Sequence, residues 1–154
     1  MCGICGFISD DKINNYQNVI KKMADAISFR GPDNTNFYFD PDKNLALGHN
    51  RLSIIDLSER SNQPFKSNNG RYIILFNGEI YNFRKLKLKI ETEKNFLQWK
   101  TSSDTEILIE GISLYGLNNF LDFVEGMFAF AIYDLSEQKI SLVRDRFGEK
   151  PVYY

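Results

Sequence analysis

Apolar positions along the chain follow two rhythms, one of step two and one of steps three and four. Residues 3–8 are mostly apolar and predict a short buried strand ending at Ser9-Asp10-Asp11. Tyr16, Val19, Ile20, Met23, Ala24 and Ile27 then recur at helical spacing, with Asn14 or Asn15 available as cap. That helix must stop by Gly31-Pro32, because proline disfavours helical geometry in the residue before it. Residues 36–40 alternate as a strand, Pro41-Asp42-Lys43-Asn44 turns, and residues 45–55 return as a second strand with a polar middle. A polar loop over 56–69 leads to a strand over 71–76. Asn77-Gly78 would ordinarily signal a hairpin, but helix formers follow Asn82, so the pair is placed at a strand-to-helix bend. Residues 90–100 are weakly patterned. Ser102-Ser103-Asp104-Thr105-Glu106 opens a helix carrying Ile107, Leu108, Gly111, Ile112 and Tyr115, with Gly116 past its end. Asp104 suits a cap or a first-turn carboxylate. Residues 127–133 form a dense apolar strand, 136–139 a turn and 140–143 its antiparallel partner.

Hairpin strands interrupted by grouped helices argue for an α+β domain with antiparallel sheets. A strand as apolar as 127–133 needs cover on both faces, which favours packed sheets with helices outside.

Composition changes this picture little. The 154 residues suit one domain. A net charge of -1 offers no footprint for nucleic acid or an anionic membrane. No apolar run approaches spanning length and no secretory pattern opens the chain, so a cytoplasmic location is expected.

The chemistry is concentrated in Met1-Cys2-Gly3-Ile4-Cys5-Gly6. Cysteine is small enough that a methionine before it is normally removed, which would leave a free α-amine and a thiol on Cys2. The amine titrates at about 7.7–8.0 and a free thiol near about 8.5, so the residue carries its own base. Cys2 and Cys5 also form a CxxC. A structural zinc site would need four ligands, which the chain lacks, and a redox CxxC belongs at a helix start, so redox is only a second reading of the pair. Cys5 is expected in the core. The sole histidine, His49, could pair with Cys2 as in papain-like enzymes, but no accompanying signature is present, and it reads better as a structural residue beside Arg51. Arg30-Gly31-Pro32-Asp33, taken alone, reads as a solvated turn.

Taken together, Cys2-Gly3-Ile4-x-Gly6, Arg30-Gly31-Pro32-Asp33, Arg51-Leu52-Ser53-Ile54-Ile55-Asp56, Asn77-Gly78-Glu79-Ile80-Tyr81-Asn82, Ser103-Asp104-Thr105-Glu106, Gly126-Met127-Phe128-Ala129-Phe130-Ala131 and Arg144-Asp145-Arg146-Phe147-Gly148 closely resemble the glutamine amidotransferase domain of asparagine synthetases. These seven motifs span nearly the whole chain in the family's order. The resemblance implies a four-layer αββα N-terminal-nucleophile hydrolase over residues 2–154, hydrolysing glutamine to glutamate and ammonia. It implies Cys2 as nucleophile, the Asn77 side chain and Gly78 N–H as oxyanion hole, Arg51 for the substrate carboxylate, and Glu79 and Asp104 for its ammonium. Ile54 is a further substrate-binding position. The glutaminase step needs no metal or cofactor; ATP and Mg belong to a C-terminal synthetase domain, the expected partner, which nothing in these residues resembles. A homodimer is left open. Glucosamine-6-phosphate synthase and amidophosphoribosyltransferase share the cysteine start and the Asn-Gly, but differ around Arg51 and Arg30. Relatives that amidate other carboxylates, such as sugar acids, share this half, and a non-catalytic interaction module with Met1 retained is the remaining alternative.

Overall fold

The computed structural model describes residues 1–11, 13–95 and 98–154. Two antiparallel sheets face one another. The first has the order β1-β3-β2, built from β1 (Gly3–Phe7), β2 (Asn34–Asp40) and β3 (Leu45–Arg51); the second has the order β4-β5-β6-β7, from β4 (Phe65–Lys66), β5 (Tyr72–Ile80), β6 (Gly126–Asp134) and β7 (Lys139–Arg144).

The alternation of side chains explains the layering. On β3 the odd positions Leu45 and Leu47 meet Ile73, Leu75, Ala131 and Tyr133 of the second sheet. The even positions face the helix α1 (Tyr16–Ala26): Gly48 lies against Ile20, and the Asn50 amide donates to the Ala24 carbonyl at 2.7 Å. On β5 the even positions Ile74, Phe76 and Ile80 pack with Leu86 and Ile90 of α2 (Phe83–Lys94) and with Ile107, Leu108 and Ile112 of α3 (Asp104–Tyr115). A short helix, α4 (Leu117–Leu121), sends Phe120 into the same cluster. The layers therefore run helix, sheet, sheet, helix, as expected of the αββα sandwich.

Several local expectations change. Asn15 adopts a left-handed backbone (φ 58°) and makes no side-chain cap bond, so the α1 start lacks the predicted cap. Ser103, not Asp104, caps α3, accepting the Thr105 N–H at 3.1 Å. The β3 strand ends at Arg51 rather than at residue 55. The weakly patterned stretch continues α2 as far as Lys94; positions 96 and 97 lie outside the described residues. Cys5 is half-buried, with its thiol 3.7 Å from the Gly48 carbonyl, because β1 is the edge strand of its sheet.

The largest correction concerns Asn77-Gly78. Both residues lie inside β5, opposite Ala129 and Phe128 of β6, and the helix begins only at Phe83. A Cβ on Gly78 would stand 2.2 Å from the Met127 carbonyl oxygen. The glycine is needed for the close approach of two strands, not for a bend.

Candidate active site

Four segments remote in sequence meet at one end of the sandwich: the chain start, the end of β3 with its following loop, the second half of β5, and the start of α3. They line a pocket of about 100 Å³ that includes Cys2, Arg51, Ile54, Asn77, Gly78, Glu79 and Asp104. Every site residue expected from the sequence is in this pocket.

Register places the thiol. Gly3 pairs with Asn50, which sets Cys2 beside the residues leaving β3. The Leu52 N–H donates to Sγ at 3.4 Å, and Sγ lies 3.8 Å from the Leu52 carbonyl. Burial pushes the Cys2 thiol above its ordinary pKa; the Leu52 N–H, the chain-terminal ammonium and Arg51 pull it down, while Asp104 adds to the rise. Met1 lines the mouth of the same pocket.

The segment Arg30-Gly31-Pro32-Asp33 is more than a solvated turn. Arg30 Nε–H donates to the Cys2 carbonyl at 3.1 Å. The Asp33 N–H donates to the Arg51 carbonyl at 3.0 Å, and the Asp33 carboxylate accepts from Ser53 N–H at 2.7 Å. Gly31 presses on β3 so closely that a Cβ would lie 2.2 Å from the Asn50 oxygen. One tetrapeptide thus fixes the Cys2 backbone and the exit of β3. Its sequence signal was a cation and an anion flanking a glycine, which does not reveal what the two charges touch.

Arg51 is 7 % exposed. Its Nη1 donates to the Ser58 carbonyl at 2.8 Å and to Asn62 Oδ1 at 2.7 Å, and its Nη2 to the Asp56 carbonyl. These bonds wrap the loop after β3 around the guanidinium and leave part of its five-donor fork for the pocket. Asp56, which sequence reading gave no role, locks the loop from the other side: its carboxylate accepts Ser58 N–H at 2.8 Å, Ser102 N–H at 2.8 Å and the Ser102 hydroxyl at 3.1 Å. Burial alone would raise its pKa, but those donors outweigh it and hold the carboxyl well below the usual range.

The pleat of β5 selects the next donor. Tyr81 N–H bonds the Glu125 carbonyl and Leu135 N–H the Arg71 carbonyl, so the odd-numbered residues of β5 exchange bonds with β6. Even-numbered N–H groups point the opposite way. Phe76 N–H is taken by Gln63 Oε1 at 2.6 Å and Ile80 N–H by Asp104 Oδ2 at 3.0 Å. Between them the Gly78 N–H projects from the same edge, and among the described residues no side chain accepts it. Asn77, at 6 % exposure, lies on the face of β5 that carries Ile73 and Leu75 toward the other sheet; among the described residues its side-chain amide has no hydrogen-bond partner.

Two carboxylates close the pocket. Burial pushes Asp104 up to about 6, with Glu79 adding to the rise and the N–H groups of Ile80 and Thr105 opposing it. Glu79 stands exposed at the rim. Ile54 is 71 % exposed and also borders the pocket. His49 is not paired with Cys2: its Nε2 lies 3.2 Å from the Phe76 carbonyl, and burial lowers its pKa to about 4. Among the described residues no group of three or more His, Cys, Asp or Glu side chains could hold a metal ion, and no helix is long and apolar enough to cross a membrane.

Comparison with known proteins places the chain in a family. Residues 1–154 match the family model described as a glutamine amidotransferase domain. The chain is 39 % identical over 157 residues to asparagine synthetase [glutamine-hydrolyzing] 2 of Bacillus subtilis, covering 100 % of this chain and 20 % of that protein. It is 37 % identical over 164 residues to the amidase chry2 of Gibberella zeae, covering 100 % of this chain and 24 % of that one. The chain thus spans about a fifth to a quarter of the length of these relatives. Among solved structures, the glutamine phosphoribosylpyrophosphate amidotransferase of B. subtilis superposes with a TM-score of 0.54 at 27 % identity, covering 67 % of this chain and 23 % of that one. With the family model matching from residue 1 to residue 154, this chain belongs to the glutamine amidotransferase domain family.

Proposed function

We propose that this chain is the glutaminase half of an asparagine synthetase, with Cys2 as its nucleophile. The observation that carries the reading is the convergence on one pocket of a thiol, a guanidinium, two carboxylates and two unclaimed N–H donors. Glutamine is a zwitterion with a side-chain amide, and each of its polar ends has a counterpart here. Arg51 would take the α-carboxylate, since a guanidinium matches a planar carboxylate with parallel hydrogen bonds. Glu79 and Asp104 would take the α-ammonium, and Ile54 would border the substrate.

Once Met1 is removed, the α-amine of Cys2 accepts the thiol proton and Sγ attacks the side-chain amide carbon. The oxyanion that forms faces the Asn77 amide and the Gly78 N–H; removing one such donor typically costs ~10²–10³ in kcat. Collapse breaks the C–N bond, the departing nitrogen takes the proton held by the amine, and ammonia leaves a γ-glutamyl thioester. Water then gives a proton to the amine, attacks the thioester, and releases glutamate with the thiol restored. No step draws on a metal or a cofactor. In the longer protein, ammonia would pass to an aspartate activated with ATP and Mg in a C-terminal synthetase region, the partner of this domain.

The test is intact mass before and after incubation with a diazoketone analogue of glutamine. Loss of Met1 and one adduct mapped to Cys2, with conversion of glutamine to glutamate, is the expected result. A processed chain that neither takes the label nor hydrolyses glutamine overturns the reading and leaves the interaction module.

A further inference from the structure

We infer that His49 is a positioning residue for the oxyanion donors, tying β3 to β5 one residue before Asn77. This rests on the glutaminase reading of the pocket. On β3, His49 and Arg51 are two residues apart and share the face turned to the second sheet. On β5, Phe76 directly precedes Asn77 and Gly78. The bond between His49 Nε2 and the Phe76 carbonyl, 3.2 Å long, therefore spans the two sheets at the level of the pocket. A carbonyl only accepts, so Nε2 carries the hydrogen and the tautomer is fixed. The Phe76 N–H is held in turn by Gln63 at 2.6 Å, so that both polar groups of Phe76 are clamped beside the Asn77 amide.

The other ring nitrogen argues that packing alone does not account for the histidine. His49 is 1 % exposed and its Nδ1 has no hydrogen-bond partner among the described residues. An unpartnered buried polar atom is unfavourable, and native structures contain few of them. The two preceding inward positions of the same strand, Leu45 and Leu47, are aliphatic and meet the second sheet without that penalty. What histidine adds over leucine at position 49 is the single bond to Phe76. That bond sets the spacing between the Arg51 guanidinium, on one sheet, and the Asn77 and Gly78 donors, on the other.

The groups held by this tether act on the tetrahedral oxyanion, while Arg51 acts on the carboxylate of bound glutamine. Loss of the tether should therefore lower kcat more than it raises KM. The experiment compares His49→Leu and His49→Gln in the full-length protein, with kcat and KM for glutamine, thermal midpoint, and rate of diazoketone labelling. Glutamine's side-chain N–H can replace the Nε2 donor; leucine's cannot. His49→Leu is expected to lose about tenfold to a hundredfold in kcat, with KM within about threefold, and His49→Gln to recover most of the loss. A His49→Leu protein with wild-type kcat overturns the inference. So does a loss that glutamine fails to rescue while the thermal midpoint stays unchanged. If leucine prevents folding, the glutamine variant alone decides: it must keep both kcat and the label. Wild-type protein inert to glutamine and to the label would instead bring down the glutaminase reading itself.

Discussion

The N–H of Leu52 meets the Cys2 sulfur at 3.4 Å, so the residue that follows Arg51 in the chain also holds the Cys2 thiol. Thiol and guanidinium are set by one turn of backbone. The thiol is raised by burial, and the positive charges near it pull the other way. Removal of Met1 brings the α-ammonium onto Cys2 itself, nearer than it is at the end of Met1. The processed chain should therefore show a lower thiol pKa than the unprocessed one, read from the pH dependence of iodoacetamide alkylation. Cys2→Ala should abolish glutamine hydrolysis with the free energy of unfolding within about 0.5 kcal/mol of wild type, since the thiol is only half-buried. Turnover surviving that change would remove the nucleophile assignment.

Arg51 has two duties, because the guanidinium that faces the pocket also anchors the loop through Ser58, Asn62 and Asp56. Arg51→Lys keeps the charge but lacks the planar fork that reaches several acceptors at once. It should raise KM for glutamine by about tenfold or more and expose residues 52–62 to limited proteolysis. A raised KM with no gain in cleavage would separate substrate binding from loop anchoring.

Asp104 gives the pocket a pH dependence. Its carboxyl titrates at about 6 in the folded chain, against 3.8 ordinarily. In its proposed role Asp104 pairs with the substrate ammonium only when ionised, so KM for glutamine should climb as pH falls below about 6. The same shift acts on stability with the opposite sense. Between the two values the folded chain holds a proton that the unfolded chain has released, so folding is favoured by acid over that window and disfavoured at neutral pH. Asp104→Asn should then stabilise the substrate-free protein at pH 7 by something on the order of 1 kcal/mol while weakening glutamine binding. Chemical denaturation at pH 5 and pH 7 checks it: a gain equal at both pH values would assign the effect to something other than this titration.

Arg30 carries no chemistry of its own, yet its Nε–H bond to the Cys2 carbonyl sets where the chain start lies. Arg30→Ala should slow both turnover and diazoketone labelling by about tenfold to a hundredfold, through misplacement of the thiol. Arg30 is partly exposed, so the fold should persist. Unchanged labelling of Arg30→Ala would show that the chain start is held by β1 alone.

Most of the layer order was legible because apolar alternation reports which faces are covered, and strands 45–51 and 127–133 are covered on both. The pocket membership of Cys2, Arg51, Asn77, Gly78, Glu79 and Asp104 came from motif resemblance, not from periodicity. What stayed hidden depends on contacts between segments far apart in the chain. The roles of Arg30 and Asp33 exist only because residues 30–33 lie against the end of β3, and Asp56 acts only because Ser102 comes within reach. Asn-Gly misled for a related reason. The helix formers after it suggested a strand-to-helix bend, whereas the close approach of β6 requires glycine inside β5.

That last point yields the sharpest structural prediction. A Cβ at position 78 would lie 2.2 Å from the Met127 oxygen and 2.6 Å from the Phe128 Cα, both parts of the backbone that cannot rotate away. Gly78→Ala must therefore push β5 from β6 across the middle of the second sheet, at a cost of about 3 kcal/mol or more. The displaced N–H is the one that projects into the pocket between the groups held by Gln63 and Asp104. Stability and chemistry should fail together, and they can be separated by measuring labelling of Cys2 under conditions where urea titration shows the variant still folded. Slow labelling of folded Gly78→Ala protein ties the strand spacing to the oxyanion site. Normal labelling and turnover there would mean that the Gly78 N–H is not a donor to the reacting amide.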